Sequence, residues 1–326
     1  MQGQVSPEQN ATAPVYVGID VCKAWLDVHI HPDGREFRVP NDNPGFRQLR
    51  TALELHEVAG IVIEATGKYH RAAFDALHTA GHPVSVVNPA RARFFAMAEG
   101  LDEKSDRIDA GILALMAAKL KPAVSTPAPK IMEELQELTR ARQAAVDDWT
   151  ALTNRLGETI GKFLANELKH RLTLLASHIE RLEAEIARLI EGEPRLARRK
   201  AILTSIRGVG TVAATWLLVG LPELGHCTAR AAAKLAGLAP IVHDSGLMAG
   251  QRHIRGGRGD VRRGIYMAAL SASQHNPDLK AFCNRLTGNG KPFKLAMTGV
   301  MRKLVVLANT LLSQDRHWLP EAPKSA

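Results

Sequence analysis

The spacing of apolar residues changes period several times along the first 120 residues. Val15-Tyr16-Val17-Gly18-Ile19 and Ile61-Val62-Ile63 are short, β-branched apolar runs, which read as buried strands. With their neighbours they predict strands at 15–20, 25–30, 35–39, 60–64 and 84–88. Apolar positions three and four apart predict helices over 44–57, 69–80, 89–98 and 105–120, the period of a helix with one buried face. Breaks at Val21-Cys22-Lys23-Ala24 and Pro32-Asp33-Gly34 make the first three strands an antiparallel meander. The strand–helix alternation that follows suits a mixed sheet.

Pro122, Pro127 and Pro129 punctuate a linker. Beyond it, Leu135, Leu138, Ala145, Trp149, Leu152 and Leu156 form one apolar seam, interrupted by Arg142; Leu172, Leu175, Ile179, Leu182, Ile186 and Leu189 form another. Alternating steps of three and four are coiled-coil periodicity. The register breaks at Asn166 to His170, so two helices are expected, folded back or offset. They either pair within the chain or zip to a second copy; periodicity alone leaves both open. Gly192 and Pro194 end this region. The turn Ile206-Arg207-Gly208-Val209-Gly210 resembles a helix–hairpin–helix, and residues 229–239 read as a packed helix. The expected organisation is a tail at 1–13, an α/β domain at 14–125, coiled-coil helices at 126–195 and a mainly α domain at 196–326.

Charge sharpens this division. The formal net charge is +9, yet from Lys200 onward 17 Lys and Arg face 6 Asp and Glu, against 25 and 27 before it. A basic C-terminal part suits a polyanion; a solvated basic face is the plainer reading. Cys22, Cys227 and Cys283 are too scattered for a disulfide framework or a zinc site, which fits a reducing cytoplasm. Residues 1–13 carry no apolar core of a signal peptide, and no stretch reads as a membrane span.

Four carboxylates carry the sharpest chemistry. Asp20 and Glu64 end two of the apolar runs; Asp106 and Asp109, in Lys104-Ser105-Asp106-Arg107-Ile108-Asp109-Ala110, lie three apart at a helix start and share a face. Clustered hard oxygen ligands select Mg²⁺ or Mn²⁺, and paired cations bridging a phosphodiester cut or join nucleic acid. The structural alternative is that strand ends and helix N-termini collect acids anyway. Ser245, in Val242-His243-Asp244-Ser245-Gly246, is by itself an ordinary turn residue. After it, Arg252, Arg255, Arg258, Arg262 and Arg263 are interspersed with glycine, a strip suited to bidentate phosphate contacts. Arg207, Lys294, Arg302 and Lys303 extend the expected nucleic-acid surface. Only 15 residues are aromatic, so phosphate and shape recognition are expected ahead of base stacking.

In order and spacing, Gly18-Ile19-Asp20, Ile63-Glu64-Ala65-Thr66-Gly67, Val87-Asn88-Pro89 and the segment 104–110 resemble the DEDD transposases of bacterial insertion sequences. So do Ile206-Arg207-Gly208-Val209-Gly210, Leu235-Ala236-Gly237-Leu238-Ala239-Pro240, Asp244-Ser245-Gly246, Ile265-Tyr266-Met267 and Met301-Arg302-Lys303-Leu304. These enzymes are bridge-RNA-guided recombinases related to Piv-type DNA invertases. The resemblance spans about residues 15–312 and rests on several motifs in one order. It implies an α/β RuvC-like (RNase H-like) N-terminal domain, with two Mg²⁺ (or Mn²⁺) on Asp20, Glu64, Asp106 and Asp109. It also implies a mainly α C-terminal transposase domain whose Ser245 attacks DNA and holds it as a phosphoserine. Asp20, Glu64, Asp106, Asp109 and Ser245 are then the catalytic set, in a site composed from both domains. The implied partners are double-stranded donor and target DNA, a structured noncoding guide RNA, and further copies of the chain (a dimer, and a tetramer in synapsis), in a bacterial cytoplasm at the nucleoid and with no membrane. Three alternatives stand beside this: a metal-dependent nuclease of Holliday-junction-resolvase type using the carboxylates alone, a site-specific invertase without a guide, and a non-catalytic nucleic-acid binder.

Overall fold

In the computed structural model, residues 14–101, 106–241 and 252–319 are described, the side chains of 106–108 excepted. They fall into two compact units, Met1–Ala128 and Pro129–Ala326.

The first unit is built on a five-stranded sheet of β1 (Val15–Val21), β2 (Trp25–His31), β3 (Arg35–Pro40), β4 (Val58–Glu64) and β5 (Val84–Val87) in the order β3-β2-β1-β4-β5. The meander is antiparallel, and β4 and β5 run parallel to β1. Helices α1 (Asn43–Leu53) and α2 (His70–Thr79) cover one face; α3 (Pro89–Ala98) and α4 (Asp106–Leu120) belong to the other. Strand alternation explains the two cores. Val15, Val17, Ile19 and Val21 pack with Phe46, Leu49, Leu53 and Phe74 beneath the sheet, while Val62 packs with Phe95, Leu113 and Met116 above it. Asp42 and Asn88 accept hydrogen bonds from Gly45 N and Ala90 N, capping α1 and α3, each with a proline in its first turn. The proline-punctuated segment after α4 is anchored to β5: Ser85 donates to the Pro122 carbonyl, and the Ser125 hydroxyl accepts from Val86 N.

Among its described residues the second unit is helical apart from one short hairpin. Helices α5 (Lys130–Gly157) and α6 (Lys162–Glu191) pack side by side, joined by a four-residue turn and cross-linked by Arg142 to Glu183. The chain reverses at 158–161 rather than at the expected Asn166–His170. Glycines at 157 and 161 flank the turn, whereas residues 166–170 contain no breaker and Leu168 is buried. Met132, Leu135, Ile186 and Ile190 join the core of the following helices, so the base of this helical pair is part of the second unit.

That core is made by α7 (Pro194–Ser205), α8 (Thr211–Gly220), α9 (Ala229–Leu235), the hairpin β6 (Pro240–Ile241) and β7 (His253–Ile254), α10 (Gly259–His275), α11 (Pro277–Gly288) and α12 (Phe293–Ser313). Sequence reading finds no membrane-length segment, but α12 has the length and composition of one, with mean hydropathy 1.4. It is 56% buried, with Val300, Leu304, Val305, Ala308 and Leu311 in the core, so its apolar character reflects central packing.

Candidate active site and nucleic-acid surface

Strand register decides where the acids stand. Ile19 pairs with Ile63 across the parallel β1–β4 ladder, so Asp20 and Glu64 follow in step at the same end of adjacent strands. Side chains two apart point to one face. Asp20 therefore shares the face of Gly18, and Glu64 that of Val62, which packs with α4.

Gly18 brings α4 onto this face. A Cβ at Gly18 would collide with the Ala110 carbonyl oxygen and the Ala114 amide nitrogen, so only glycine allows the helix backbone to lie directly on β1. Asp109 immediately precedes Ala110 and is half-buried, as are Asp20 and Glu64. Three of the four expected acids are thus brought to one side of one sheet end. Asp106 opens α4; its side chain lies outside the described residues. Each of Asp20, Glu64 and Asp109 has a hydrogen-bonding or electrostatic partner. Among the described residues no three His, Cys, Asp or Glu side chains are gathered closely enough to form a finished metal cage. The donor set is all carboxylate on a shared face, which fits a hard divalent cation.

The structure adds groups that sequence reasoning missed. Asp27 stands opposite Asp20 in the β1–β2 register, on the same face. Its charge is balanced by Arg38, which donates from Nε and an Nη at 2.8 Å each. Arg38 also lies over the Trp25 ring, 5.9 Å from its centroid. Asn41 is the brace of this region. Its amide donates to the Cys22 carbonyl at 2.8 Å and the Tyr69 carbonyl at 3.1 Å, tying together the loops that follow Asp20 and Glu64. The period-two pattern of β2 marks Asp27 as facing away from Leu26 and Val28, but only the pairing register sets it beside Asp20.

The second unit distributes its expected cations unevenly. Ser245 lies outside the described residues; its flanks are β6 and β7, paired Pro240 to Ile254 and Ile241 to His253. Arg207, Arg255, Lys294, Arg302 and Lys303 are exposed, and Lys303 also sits 4.3 Å from the Phe282 ring centroid. Arg252 is exposed and has a partner. Arg263 is exposed and pairs with Asp147 on α5 at 2.8 Å.

Arg258 and Arg262, two of the arginines expected to contact phosphate, also have partners inside the unit. Arg258 donates to both oxygens of Glu223, at 2.5 and 2.6 Å, and to the Gly220 carbonyl at 3.0 Å. Arg262 donates to the Gly256 carbonyl at 2.8 Å. Both are half-buried and act as struts within the unit. Burial raises the Glu223 pKa, but hydrogen bonds from Arg258 and from the backbone, with the Arg258 charge, outweigh it and leave the carboxyl below its ordinary value.

The glycine turn at 206–210 joins α7 to α8. Gly208 has φ +98°, and a Cβ there would strike Ala272 of α10. The glycine is needed for a left-handed turn pressed against another helix.

A mixed α/β unit with carboxylates at one sheet end is thus followed by a basic helical unit. Residues 17–163 match the DEDD transposase family of IS110 type, and residues 200–284 match the family described as transposase IS116/IS110/IS902. The chain belongs to this transposase family and is a DNA recombinase or transposase. It is similar to the pilin gene-inverting proteins of Moraxella bovis and Moraxella lacunata, each 27% identical over 92% of this chain and 96% of the relative. A probable family 20 transposase of Pseudomonas aeruginosa is 24% identical over 71% of this chain and 75% of its own length.

Proposed function

We propose that this chain is an RNA-guided recombinase that moves an insertion sequence by serine attack on DNA. The observation that carries the reading is the in-step placement of Asp20 and Glu64 on adjacent parallel strands, with α4 drawn against Gly18 so that Asp109 joins their face. The sheet order and the helix bearing acids on that face support a RuvC-like (RNase H-like) fold for the first unit, and the α5–α6 pair supports a coiled-coil element.

Asp20, Glu64, Asp106 and Asp109 hold two divalent cations, Mg²⁺ with Mn²⁺ as the substitute. A cation bound there supplies Lewis-acid stabilisation of charge on a phosphate. Ser245 Oγ attacks the scissile phosphorus and loses its proton, a phosphoserine ester forms, and the deoxyribose oxygen leaves and is protonated. The reverse attack by a new strand's hydroxyl restores a phosphodiester and frees Ser245. One ester replaces another at each step, so rejoining needs no external energy source. Arg207, Arg252, Arg255, Arg263, Lys294, Arg302 and Lys303 contact backbone phosphates. A structured noncoding RNA pairs with donor and target DNA and sets sequence choice. Two dimers form the synapse, in the cytoplasm at the nucleoid.

The test is a covalent adduct. Purified protein, Mg²⁺, end DNA of its own element and RNA from cells carrying that element are mixed, denatured and resolved on a gel, beside Ser245→Ala. A slow, nuclease-sensitive band in wild type alone is the expected result. Equal cutting by both proteins with no such band would leave a carboxylate-only nuclease.

The near full-length match to pilin gene-inverting proteins favours a second reading, inversion of sites within one DNA molecule without a guide. RNase treatment separates the two: loss of DNA recognition supports the guided form.

A further inference from the structure

Two exposed aromatic rings rim the acid-bearing end of the sheet. Trp25, 46% exposed, opens β2, and Tyr69, 37% exposed, stands just before α2. The core side of β2 is already filled by Leu26, Val28 and Ile30, so packing there does not call for the indole. Both ring-bearing loops are fixed by hydrogen bonds. Cys22 N donates to the Trp25 carbonyl at 3.1 Å, and Trp25 N donates to Cys22 Sγ at 3.2 Å. Asn41 N donates to the Ala24 carbonyl at 2.9 Å, and the Asn41 amide that holds the Cys22 carbonyl also holds that of Tyr69. One asparagine thus secures both loops at the sheet end where Asp20 and Glu64 stand.

Strand register sets the distance from the indole to the acid. Asp20 pairs with Asp27, and Trp25 lies two residues before Asp27 on the same face. Diagonal cross-strand neighbours are about 7–8 Å apart, while successive nucleotides advance about 3.4 Å along a duplex strand. A phosphate at Asp20 therefore brings a base one or two nucleotides away within reach of the indole. The surroundings are cationic. Lys23 and Lys68 are exposed beside the two rings, and the Arg38 guanidinium, bound to Asp27, lies 5.9 Å from the Trp25 ring centroid. A ring backed by a guanidinium and flanked by lysine combines a stacking surface with phosphate contacts, the two elements of a single-strand site.

We propose that Trp25 and Tyr69 stack unpaired DNA bases flanking the phosphate held at the carboxylates, and so keep the strand open for exchange. The proposal rests on the reading of Asp20 and Glu64 as the cutting site. A strand that is cut and joined to a new partner must leave its complement, and aromatic faces take up freed bases whatever their sequence. The occupant is DNA because the strand at the carboxylates is the one that is cut. The chain's 15 aromatic residues set stacking behind phosphate contact for the molecule as a whole; at this sheet end the fold reverses that order.

The experiment compares full-length wild type, the double variant Trp25→Ala plus Tyr69→Ala, and the ring-keeping pair Trp25→Phe plus Tyr69→Phe. Affinity is measured for a fluorescent single strand of end DNA, for the same strand with abasic residues in place of its bases, and for an RNA of equal length. Melting temperature is recorded on the same preparations. The Ala pair should bind the base-bearing strand at least about tenfold more weakly, the effect of losing a base–aromatic stack. Its affinity for the abasic strand should match wild type, and the Phe pair should keep most of the binding.

Unchanged affinity for the base-bearing strand in an Ala pair that melts like wild type would overturn the proposal. So would an equal loss on the abasic strand, or a loss on RNA alone. If the Ala pair does not fold, 5-iodouracil placed in end DNA within two nucleotides of the cut is photocrosslinked to wild type; no adduct on Trp25 or Tyr69 then overturns it. Failure of the carboxylate reading is seen separately, as Asp20→Asn that cuts at the wild-type rate while strand binding still depends on the rings.

Discussion

In the α/β unit, charge is placed by backbone; in the helical unit it is placed by side chains competing for partners. Asp20 and Glu64 stand where they do because Ile19 pairs with Ile63, and a one-residue slip of that ladder would turn Glu64 to the opposite face. Asp109 comes with them because Gly18 admits the α4 backbone. In the helical unit part of the cationic excess is engaged by partners within the unit. Arg258 is spent on Glu223 and Gly220, Arg262 on Gly256, and Arg198 on Asp315. A count of arginines therefore does not say which of them are engaged within the fold, while a short strand motif is a good measure of an acid's position.

The comparison can be broken most directly at Asp20. Asp20→Asn keeps the shape but removes a charge, so metal-dependent DNA cutting should fall on the order of a thousandfold, the loss of several kcal/mol of transition-state stabilisation. Circular dichroism should retain the α/β signature. Cutting at the wild-type rate would mean that the acids are structural.

A smaller effect tests the backbone side. Gly18→Ala forces α4 off the sheet and should cost about 3 kcal/mol of stability, measured by urea unfolding. Cutting should fall with it, even under conditions where the variant remains folded. A neutral result would show that α4 can shift without cost.

The smallest effect probes the side-chain device. Glu223→Gln removes one charge from a half-exposed pair, and solvent screening limits the loss to about 1 kcal/mol. Because the folded Glu223 carboxyl titrates below its ordinary value, its contribution is complete above the unfolded pKa of about 4.3 and disappears as pH falls through the lower folded value. The wild-type advantage over Glu223→Gln should therefore hold at neutral pH and shrink below about pH 4 in thermal melts. An advantage that grows on acidification would refute the strut.

The five strands, the α/β character of the first unit and the mainly helical second unit were legible from apolar periodicity, since each element buries a face and its period follows from backbone geometry. The four acids were legible as strand-end and helix-start residues. The helical turn was misplaced: seam counting located a register break at Asn166–His170, whereas chain reversal needed the glycines at 157 and 161. Asp27, Arg38 and Asn41 were missed because the partners that place them lie 7 to 28 residues away in the chain, and no local pattern links them.

The sequence by itself thus determined which segments become strands and helices, where the candidate metal and phosphate ligands stand along the chain, and the family to which the chain belongs. Those properties are local, or are carried by motifs in a fixed order. Only the tertiary structure decided which charges work together. It set Asp20 beside Glu64 and opposite Asp27, turned Arg258 and Arg262 into struts, and tied the loops of Trp25 and Tyr69 together through Asn41. The physical reason is that a charge acts over a few ångströms of space, and only folding brings distant parts of the chain that close.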